Sequence, residues 1–500
     1  MTHFRLMPLL VALIALAIPA TAADLAPLRV DGPNIVANGH PIRLRGLDWG
    51  WWHLAGTQYT EADMKSQAQW GTNVARLAFT YSDLEDAAHP GTWREDGFRQ
   101  FDDVIRWAKK YGIYVILDMH VAQGGQDPSL YEDGGGNKIW RDSSDQERFI
   151  ALWREIARRY RDRPEVAAYE LMNEPDTRQF NPSVLTALYE RAIAAIRKVD
   201  PDKIVVMTGD HYSGAKSLND AVKLPESNIL YTFHFYDGMP VGAWLGNAAE
   251  GPGIAGTQDW KRIEVDLKAP AGASAMSIML RSTKNAGTAW FDDVRLEDAS
   301  GNVVRSNSFD LGADPYSPER LTAGTVSYDP VVGHDKPGSL RVSGTDAYNG
   351  WTSNPIKTSP GRKYKLSAWV KLDNATGETY LSAAFMGTRG DAKVDPASLR
   401  PLMQGAIDFK RKYNVPVWVG EFGCEAGSSQ SDLQKRWVSS CIDLFEEAGF
   451  EWTYWNYRET TGPDTMAVHA EKKDGSDYPV NEALVATLSK GWALNARNTK

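Results

Sequence analysis

The fold is decided by two short apolar runs that each carry a glutamate, Ala168-Tyr169-Glu170-Leu171-Met172-Asn173-Glu174-Pro175 and Val417-Trp418-Val419-Gly420-Glu421-Phe422-Gly423. Each run has the length and composition of a buried strand, so Glu174 and Glu421 are predicted at the edge of a sheet. Two carboxylates at one edge are the minimum for cleaving a glycosidic bond, because one gives a proton and the other attacks the sugar. The two glutamates are 247 positions apart, and this separation needs an explanation.

Strand-like and helix-like segments alternate through the first half of the chain. In one helical segment, for example, Phe98, Phe101, Val104 and Ala108 recur at the spacing of a helix face. This alternation predicts a mostly parallel sheet with helices packed outside it. The predicted strands are residues 42–47, 73–79, 113–119, 166–172, 203–208 and 228–233.

The pattern changes between residues 243 and 391, where short alternating strands and many Gly, Ser, Thr and Asn residues replace the helices. This composition is typical of an antiparallel sandwich. Strand and helix alternate again afterwards, with helices predicted over 397–413 and 431–447 and strands over 415–420 and 452–456.

Six strands before the insert and two after it make the eight of a closed barrel. The predicted fold is therefore an α/β (β/α)8 TIM barrel, formed by residues 23–242 and 392–500, with an inserted all-β jelly-roll or β-sandwich domain over 243–391. Without the insert, 98 positions separate the glutamates. That span suits three βα units of roughly 30 residues each.

The N-terminus has the features of an export signal. Arg5 precedes an apolar core from Leu9 to Ile18, and Ala20-Thr21-Ala22 is a small-residue cleavage site. The apolar core is too short to span a bilayer, although an uncleaved anchor is the alternative. We predict a signal peptide over residues 1–22 and a secreted or periplasmic protein.

Composition narrows the partners further. The net charge of −9 and the lack of a basic run argue against nucleic acid, and no later stretch reaches about 18 apolar residues, so no membrane partner is expected. The 18 tryptophans and 20 tyrosines offer flat faces that suit sugar rings, although most buried aromatics fill cores. No ligand spacing indicates a catalytic metal and no motif indicates a phosphate site, so we expect no cofactor and no metal. We expect a monomer.

The two cysteines allow two interpretations. Cys424 and Cys441 could form a disulfide in an exported protein. They could equally be free thiols, one following a strand and one inside a helix, which is the interpretation we favour.

The carboxyl ends of the strands hold the active site in barrels of this kind. The predicted strands deliver polar and aromatic side chains to that rim, namely Arg76, His120, Asn173, Glu174, His234, Tyr236, Glu421 and Trp455.

This set resembles the signature of glycoside hydrolase family 5, whose cellulase-type members carry the acid/base on strand four and the nucleophile on strand seven. Each of the family's characteristic positions has a residue of the expected type, in the expected strand order. Asp48 stands where the family more often has asparagine. The resemblance implies a retaining hydrolase of β-glycosidic bonds in a polysaccharide, with an endo-β-1,4-glucanase acting on cellulose or β-glucan as the leading expectation.

The resemblance also implies roles for the individual residues. Glu421 would be the ionised nucleophile, held by Arg76 and Tyr236, whose charge and hydroxyl favour the carboxylate. Glu174 would be the acid/base and must begin the reaction protonated.

The remaining rim residues would bind or orient the sugar. Asn173 would hydrogen-bond its 2-hydroxyl, His120 and His234 would orient hydroxyls or carboxylates, and Trp455 would form the floor under the ring. Structural roles are the alternative for the histidines and Trp455, and a core ion pair is the alternative for Arg76.

Other activities stay open at this point. They are a β-1,3-glucanase, a mannanase or an exo-glucosidase of the same family, and a non-catalytic carbohydrate-binding protein.

The insert resembles a carbohydrate-binding module of the family 4/9 type with its halves in reverse order. The stretch around Trp290-Phe291-Asp292-Asp293 resembles the C-terminal half, and Ser367-Ala368-Trp369-Val370-Lys371 belongs to a stretch that resembles the N-terminal half. A circular permutation would explain this order.

The aromatic residues of the insert divide into a possible stacking platform and a predicted core. The platform set is Tyr348, Trp351 and Tyr380, and the core set is Trp260, Trp290 and Trp369.

Overall fold

The computed structural model describes residues 25–50, 59–127, 137–177, 180–181, 183–219, 221–240, 243–247, 250–320, 325–389, 393–425, 431–458, 466–469 and 479–495. The predicted signal peptide over 1–22 lies outside the described residues.

A small antiparallel sheet that the sequence did not predict precedes the barrel. Its strands are β1 (Leu28–Asp31), β2 (Asn34–Ala37) and β3 (His40–Ile42), in that order. Leu28 and Ile35 belong to the same apolar cluster as residues at the starts of the barrel strands. The sheet therefore closes the barrel at the end opposite the carboxyl rim.

Six barrel strands alternate with helices before the insert. The strands are β4 (Arg45–Trp49), β5 (Val74–Thr80), β6 (Tyr114–Val121), β7 (Val166–Glu170), β8 (Ile204–Thr208) and β9 (Ile229–Phe235). The helices are α1 (Glu61–Trp70), α2 (Tyr81–Leu84), α3 (Glu95–Tyr111), α4 (Ser143–Tyr160) and α5 (Ser183–Arg197).

The outer helices form where apolar spacing and end signals agree. In α4, Asp142 is the N-cap and its side chain accepts a hydrogen bond from Ser144 N. In α3, Gly112 ends the helix in the left-handed region at φ 69°, which glycine adopts without strain. Both helices bury the face that the apolar spacing predicts.

The inserted segment is an all-β unit with its own core. Its strands are β10 (Ala243–Asn247), β11 (Ile254–Lys268), β12 (Ala273–Asp298), β13 (Val303–Asn307), β14 (Tyr316–Arg320), β15 (Thr325–Asp329), β16 (Ser339–Ser353), β17 (Ile356–Lys357) and β18 (Lys363–Gly387). All pairings are antiparallel, and the two longest strands, β12 and β18, pair with each other along most of their length. A cluster that includes Ile278, Phe291 and Leu366 forms a core separate from that of the barrel.

The chain then returns to the barrel through α6 (Pro396–Leu399), a short 3-10 turn and α7 (Gln404–Tyr413). It continues with β19 (Val417–Phe422), α8 (Ser431–Ala448), β20 (Glu451–Tyr454) and α9 (Glu482–Trp492). The eight strands close in the order β19-β20-β4-β5-β6-β7-β8-β9, with parallel pairing throughout. The predicted TIM barrel with an additional β domain is confirmed.

Strand register sets up the functional rim. Inward positions near the strand starts are apolar, such as Val74 on β5 and Ile116 on β6. Two residues further along, the same inward face carries Arg76 and Asp118, because side chains alternate with a period of two. Register also places Glu421 of β19 opposite residue 234 of β9.

Two further expectations can be compared with the described residues. Cys424 and Cys441 are both buried free thiols, and burial raises the pKa of the Cys441 thiol. The favoured interpretation of the cysteines is confirmed. Among the helices that the structure describes, none combines the length and the apolar character needed to cross a bilayer.

Candidate active site

Glu421 lies near the end of β19, buried and held by two donors. Arg76 Nη1 donates to Glu421 Oε1 at 2.6 Å, and the Tyr236 hydroxyl donates to Glu421 Oε2 at 2.8 Å. Burial by itself would raise the pKa of Glu421, but the neighbouring His234 and Arg76 cations lower it to about 2. The side chain is therefore a carboxylate at any ordinary working pH.

Glu174 lies just after β7, and His234 lies between it and Glu421. His234 Nδ1 is 2.7 Å from Glu174 Oε1 and 3.5 Å from Glu421 Oε2. Burial would lower the pKa of His234, but the carboxylates of Glu421 and Glu174 raise it. Glu174 itself has φ 39°, an uncommon value for a non-glycine residue, and its side chain is 29% exposed. It is thus the more accessible of the two carboxyl groups.

A glycine makes room for this arrangement. A Cβ on Gly420 would lie 2.6 Å from Thr232 Oγ1 and 3.2 Å from His234 Nε2. Only a residue without a side chain therefore allows β19 and β9 to pack this closely at the rim.

Asn173, His120 and Trp455 form a connected group beside the glutamates. Asn173 Oδ1 accepts a hydrogen bond from Arg76 Nη2 at 2.8 Å, and Asn173 Nδ2 is 3.3 Å from His120 Nε2. The His120 ring stacks on Trp455, with ring centroids 5.3 Å apart and an angle of 18° between the planes. All eight predicted rim residues are thus brought together.

Arg76 is the centre of a cluster of four buried carboxyl groups. Besides Glu421, it contacts Glu170 through Nε and Nη2 at 2.6 and 3.0 Å, Asp118 through Nη2 at 3.0 Å and Asp48 through Nη1 at 3.9 Å. Burial disfavours the Arg76 cation, yet the surrounding carboxylates raise its pKa. Burial also raises the pKa of Glu170, to about 7, against the opposing effect of Arg76.

Three supporting residues were missed from the sequence. Glu170 and Asp118 were not assigned roles, although each occupies an inward strand position two residues beyond an apolar one. Gln126 was not assigned a role either, yet its Nε2 donates to the carbonyl oxygens of His120 and Asn173 at 2.7 and 2.8 Å. No pattern in the loop sequence pointed to this contact.

Among the residues that the structure describes, two groups of side chains have donor sets that could hold a cation. One is Glu174, His234 and Glu421, in which one atom from each lies within 4.8 Å of the others. The other is Asp293, His334 and Asp335 in the insert. The contacts of the first group are those already described, and neither group has the spacing of a sequence motif for a catalytic metal.

The aromatic residues of the insert are arranged differently from the prediction. Trp351 is only 2% exposed and belongs to the core, so its assignment to a stacking platform was wrong. Trp260, Trp290 and Trp369 are half-buried and lie outside the core cluster, so their assignment to the core was also wrong. The Tyr348 side chain lies outside the described residues.

Two of the three half-buried tryptophans, Trp260 and Trp369, lie beside His334. The His334 ring stacks on Trp369 with centroids 3.9 Å apart and lies edge-on to Trp260 at 5.8 Å. Trp290 Nε1 donates to Asp329 Oδ2 at 2.9 Å.

Comparison with known proteins agrees with this geometry. Residues 35–262 match the family model described as Cellulase (glycosyl hydrolase family 5). A beta-xylosidase from Phanerodontia chrysosporium is 38% identical over 182 residues, which cover 36% of this chain and 37% of that protein. Endoglucanase C from Acetivibrio thermocellus is 32% identical over 184 residues, which cover 36% of this chain and 51% of that protein. The chain thus spans about half or less of the length of these relatives.

Solved structures support the fold. An endoglucanase from Thermotoga maritima superimposes with a TM-score of 0.50 at 16% identity, covering 89% of this chain and 96% of that one. A glycoside hydrolase structure gives a TM-score of 0.51 at 16% identity, covering 90% of this chain and 99% of that one. With the family match and the two relatives, the conclusion is that residues 35–262 are similar to the cellulases of glycosyl hydrolase family 5 and that the chain has the fold of glycoside hydrolase barrels.

Proposed function

We propose that the protein is a retaining glycoside hydrolase that cleaves β-glycosidic bonds of a polysaccharide. The observation that carries this proposal is the pair Glu174 and Glu421, one partly exposed and beside His234, the other buried and held by Arg76 and Tyr236. Such unequal environments suit one carboxyl group to proton transfer and the other to nucleophilic attack.

In the first step, a Glu421 oxygen attacks the anomeric carbon while the glycosidic C–O bond breaks. The leaving oxygen takes a proton from Glu174, and a glycosyl-enzyme ester forms on Glu421. The hydrogen bond between His234 Nδ1 and Glu174 Oε1, at 2.7 Å, orients the carboxyl group of the acid.

In the second step, Glu174 acts as the base. It takes a proton from a water molecule whose oxygen attacks the anomeric carbon, and the ester bond to Glu421 breaks. Arg76 and Tyr236 then hold the released carboxylate, which is the state seen in the structure.

The separation of the glutamates supports retention of configuration. One oxygen of Glu174 and one of Glu421 lie within 4.8 Å of each other. Retaining enzymes have carboxyl groups about 5–5.5 Å apart, whereas inverting enzymes need roughly 6.5–9.5 Å to admit a water molecule. Proton NMR of the first products tests this: β-anomer formed first is expected, and α-anomer formed first would refute the proposal.

Cellulose or another β-1,4-glucan is the substrate we propose, with internal cleavage. The endoglucanase relative supports this choice, and the beta-xylosidase relative favours exo action as the second candidate. Hydrolysis of a panel of β-1,4-glucan, β-1,3-glucan, mannan and xylan, read by product size over time, separates them. A rapid loss of viscosity with mixed oligosaccharides is expected, and release of single sugars alone would favour the exo alternative.

We propose further that the insert is a circularly permuted carbohydrate-binding module. The support is the exposed side of β11, β12 and β18, which carries Trp260, Trp290 and Trp369 with flat faces that suit sugar rings. A Trp260→Ala variant should bind insoluble cellulose several-fold less tightly and still hydrolyse a small aryl glycoside at the wild-type rate. Unchanged binding would reject this role.

For localisation, we propose that the protein is secreted or periplasmic, as the export signal over residues 1–22 indicates. Detection of the mature chain in the medium or the periplasm, with an N-terminus near Ala23, tests this.

A further inference from the structure

The two cations at the base of the site, Arg76 and His234, face more carboxyl groups than they can neutralise. Asp48, Asp118 and Glu170 are fully buried and Glu421 is 5% exposed, and all four surround Arg76. A charge that is buried this fully without a partner strongly destabilises the folded protein. At least one of the four carboxyl groups must therefore be neutral.

Hydrogen bonding identifies that group. Both oxygens of Glu170 accept hydrogen bonds from Arg76, and both oxygens of Glu421 accept, one from Arg76 and one from Tyr236. Contacts through both oxygens favour the carboxylate form, and at Glu170 they oppose the burial that raises its pKa to about 7.

The contacts of Asp118 also favour its carboxylate form. Its Oδ2 lies 3.0 Å from Arg76 Nη2 and 2.8 Å from His120 Nδ1.

Asp48 lacks contacts of this kind. Within the part of the chain that the structure describes, neither of its side-chain oxygens has a hydrogen-bond partner, and Arg76 Nη1 is 3.9 Å away. A carboxylate that accepts no hydrogen bond is the most costly of the four to keep ionised, and a neutral acid at this position removes that cost.

We propose that Asp48 is a neutral carboxylic acid in the working enzyme and acts as a positioning residue, leaving the positive charge of Arg76 to Glu421. The positioning role of Asp48 rests on the proposed function of Glu421 as the nucleophile. The protonation state itself rests only on the cluster.

The surroundings of Asp48 agree with this assignment. Burial raises its pKa well above the ordinary value, and Arg76 opposes that effect. The negative charges that face it from the other strands, Glu421 of β19, Glu170 of β7 and Asp118 of β6, raise it further.

The test compares the thermal midpoints of Asp48→Asn and the wild type from pH 4 to pH 8. In the folded protein Asp48 keeps a proton that the unfolded chain releases near its ordinary pKa of about 3.9. Wild-type stability therefore falls as pH rises from that value to the folded pKa, whereas the asparagine variant has no such loss. The midpoint of the variant should rise relative to the wild type as pH increases.

A difference between the two midpoints that stays constant with pH, or that moves in favour of the wild type, would overturn the proposal. An ionised Asp48 paired with Arg76 would instead stabilise the wild-type protein at every pH above the pKa of Asp48. Infrared difference spectra provide a second readout at pH 7. The wild type should show a carbonyl band of a protonated carboxyl group that is missing from Asp48→Asn, and its absence from the wild type would also overturn the proposal. Neither readout needs catalysis, so a failure here is distinct from a failure of the proposed hydrolysis.

Discussion

Replacing Tyr236 by phenylalanine removes one of the two donors that hold Glu421. The hydroxyl donates to Glu421 Oε2 at 2.8 Å, and the ring is otherwise kept. Because this bond favours the carboxylate over the acid, its loss should raise the pKa of Glu421 from the value of about 2.

The size of the change follows from the strength of the bond. A hydrogen bond to a charged group contributes about 1.5–3 kcal/mol, and one pKa unit corresponds to about 1.36 kcal/mol. The pKa of Glu421 should therefore rise by about 1–2 units in the variant. The nucleophile must be ionised to attack, so the acid limb of kcat/KM should move up by the same amount.

The assay is the pH dependence of kcat/KM between pH 1.5 and 6 on a soluble aryl β-glucoside or β-cellobioside. A circular dichroism spectrum that stays unchanged down to the lowest pH shows that the protein has not unfolded. Tyr231→Phe is the matched control, because Tyr231 is buried on β9, which Tyr236 directly follows, and its hydroxyl accepts a hydrogen bond from Leu224 N, away from the site. Its acid limb should not move.

An acid limb that stays in place in Tyr236→Phe would refute the reasoning. It would mean that the hydroxyl contributes little to the ionisation of Glu421, or that another group sets the limb.

Two further predictions concern the acid and the packing at the rim. Glu174→Gln should reduce cleavage of sugar–sugar bonds by about 10²–10⁴-fold, with a much smaller loss on an aryl glycoside whose phenol leaves without help; equal losses on both would argue against its role as the acid. Gly420→Ala should destabilise the protein by about 1–3 kcal/mol and lower its activity, because the new methyl group would meet Thr232 Oγ1 at 2.6 Å. Gly214→Ala is its control, since a Cβ there meets nothing nearer than 3.6 Å. A normal thermal midpoint for Gly420→Ala would show that β19 can move aside.

The barrel and its rim could be predicted because they depend on periodic patterns. Each barrel strand is a short apolar run, and the residue that follows it lies at the carboxyl rim whatever the details of packing. Glu174 and Glu421 are such residues. The sheet β1–β3 was missed because its strands are only three or four residues long and carry little apolar signal.

The cluster under the nucleophile could not be predicted in the same way. Glu170 and Asp48 are each a charged residue in an otherwise apolar strand, and the neighbouring sequence does not show that a cation on another strand pairs with them. Only closure of the barrel brings their inward positions to Arg76.

The tryptophans of the insert illustrate a different limit. Trp369 lies between two core residues, Ala368 and Val370, so strand alternation does place it on the outer side. The buried position of Trp351 does not follow from strand alternation. The pairing of β16 with β12 contains register shifts, and the inward set changes from the even position of Val342 to the odd position of Trp351.

The central claim is that Glu421 forms a covalent bond with the sugar. The most direct test is mass spectrometry of the enzyme after incubation with a 2-fluoro-substituted β-glycoside that carries an activated leaving group. The fluorine slows both formation and breakdown of the ester, whereas the activated leaving group speeds its formation alone, so the ester accumulates. We predict that one sugar is added per chain and that peptide mapping finds it on Glu421. Addition to another residue, or inactivation of the enzyme without any addition, would contradict this account.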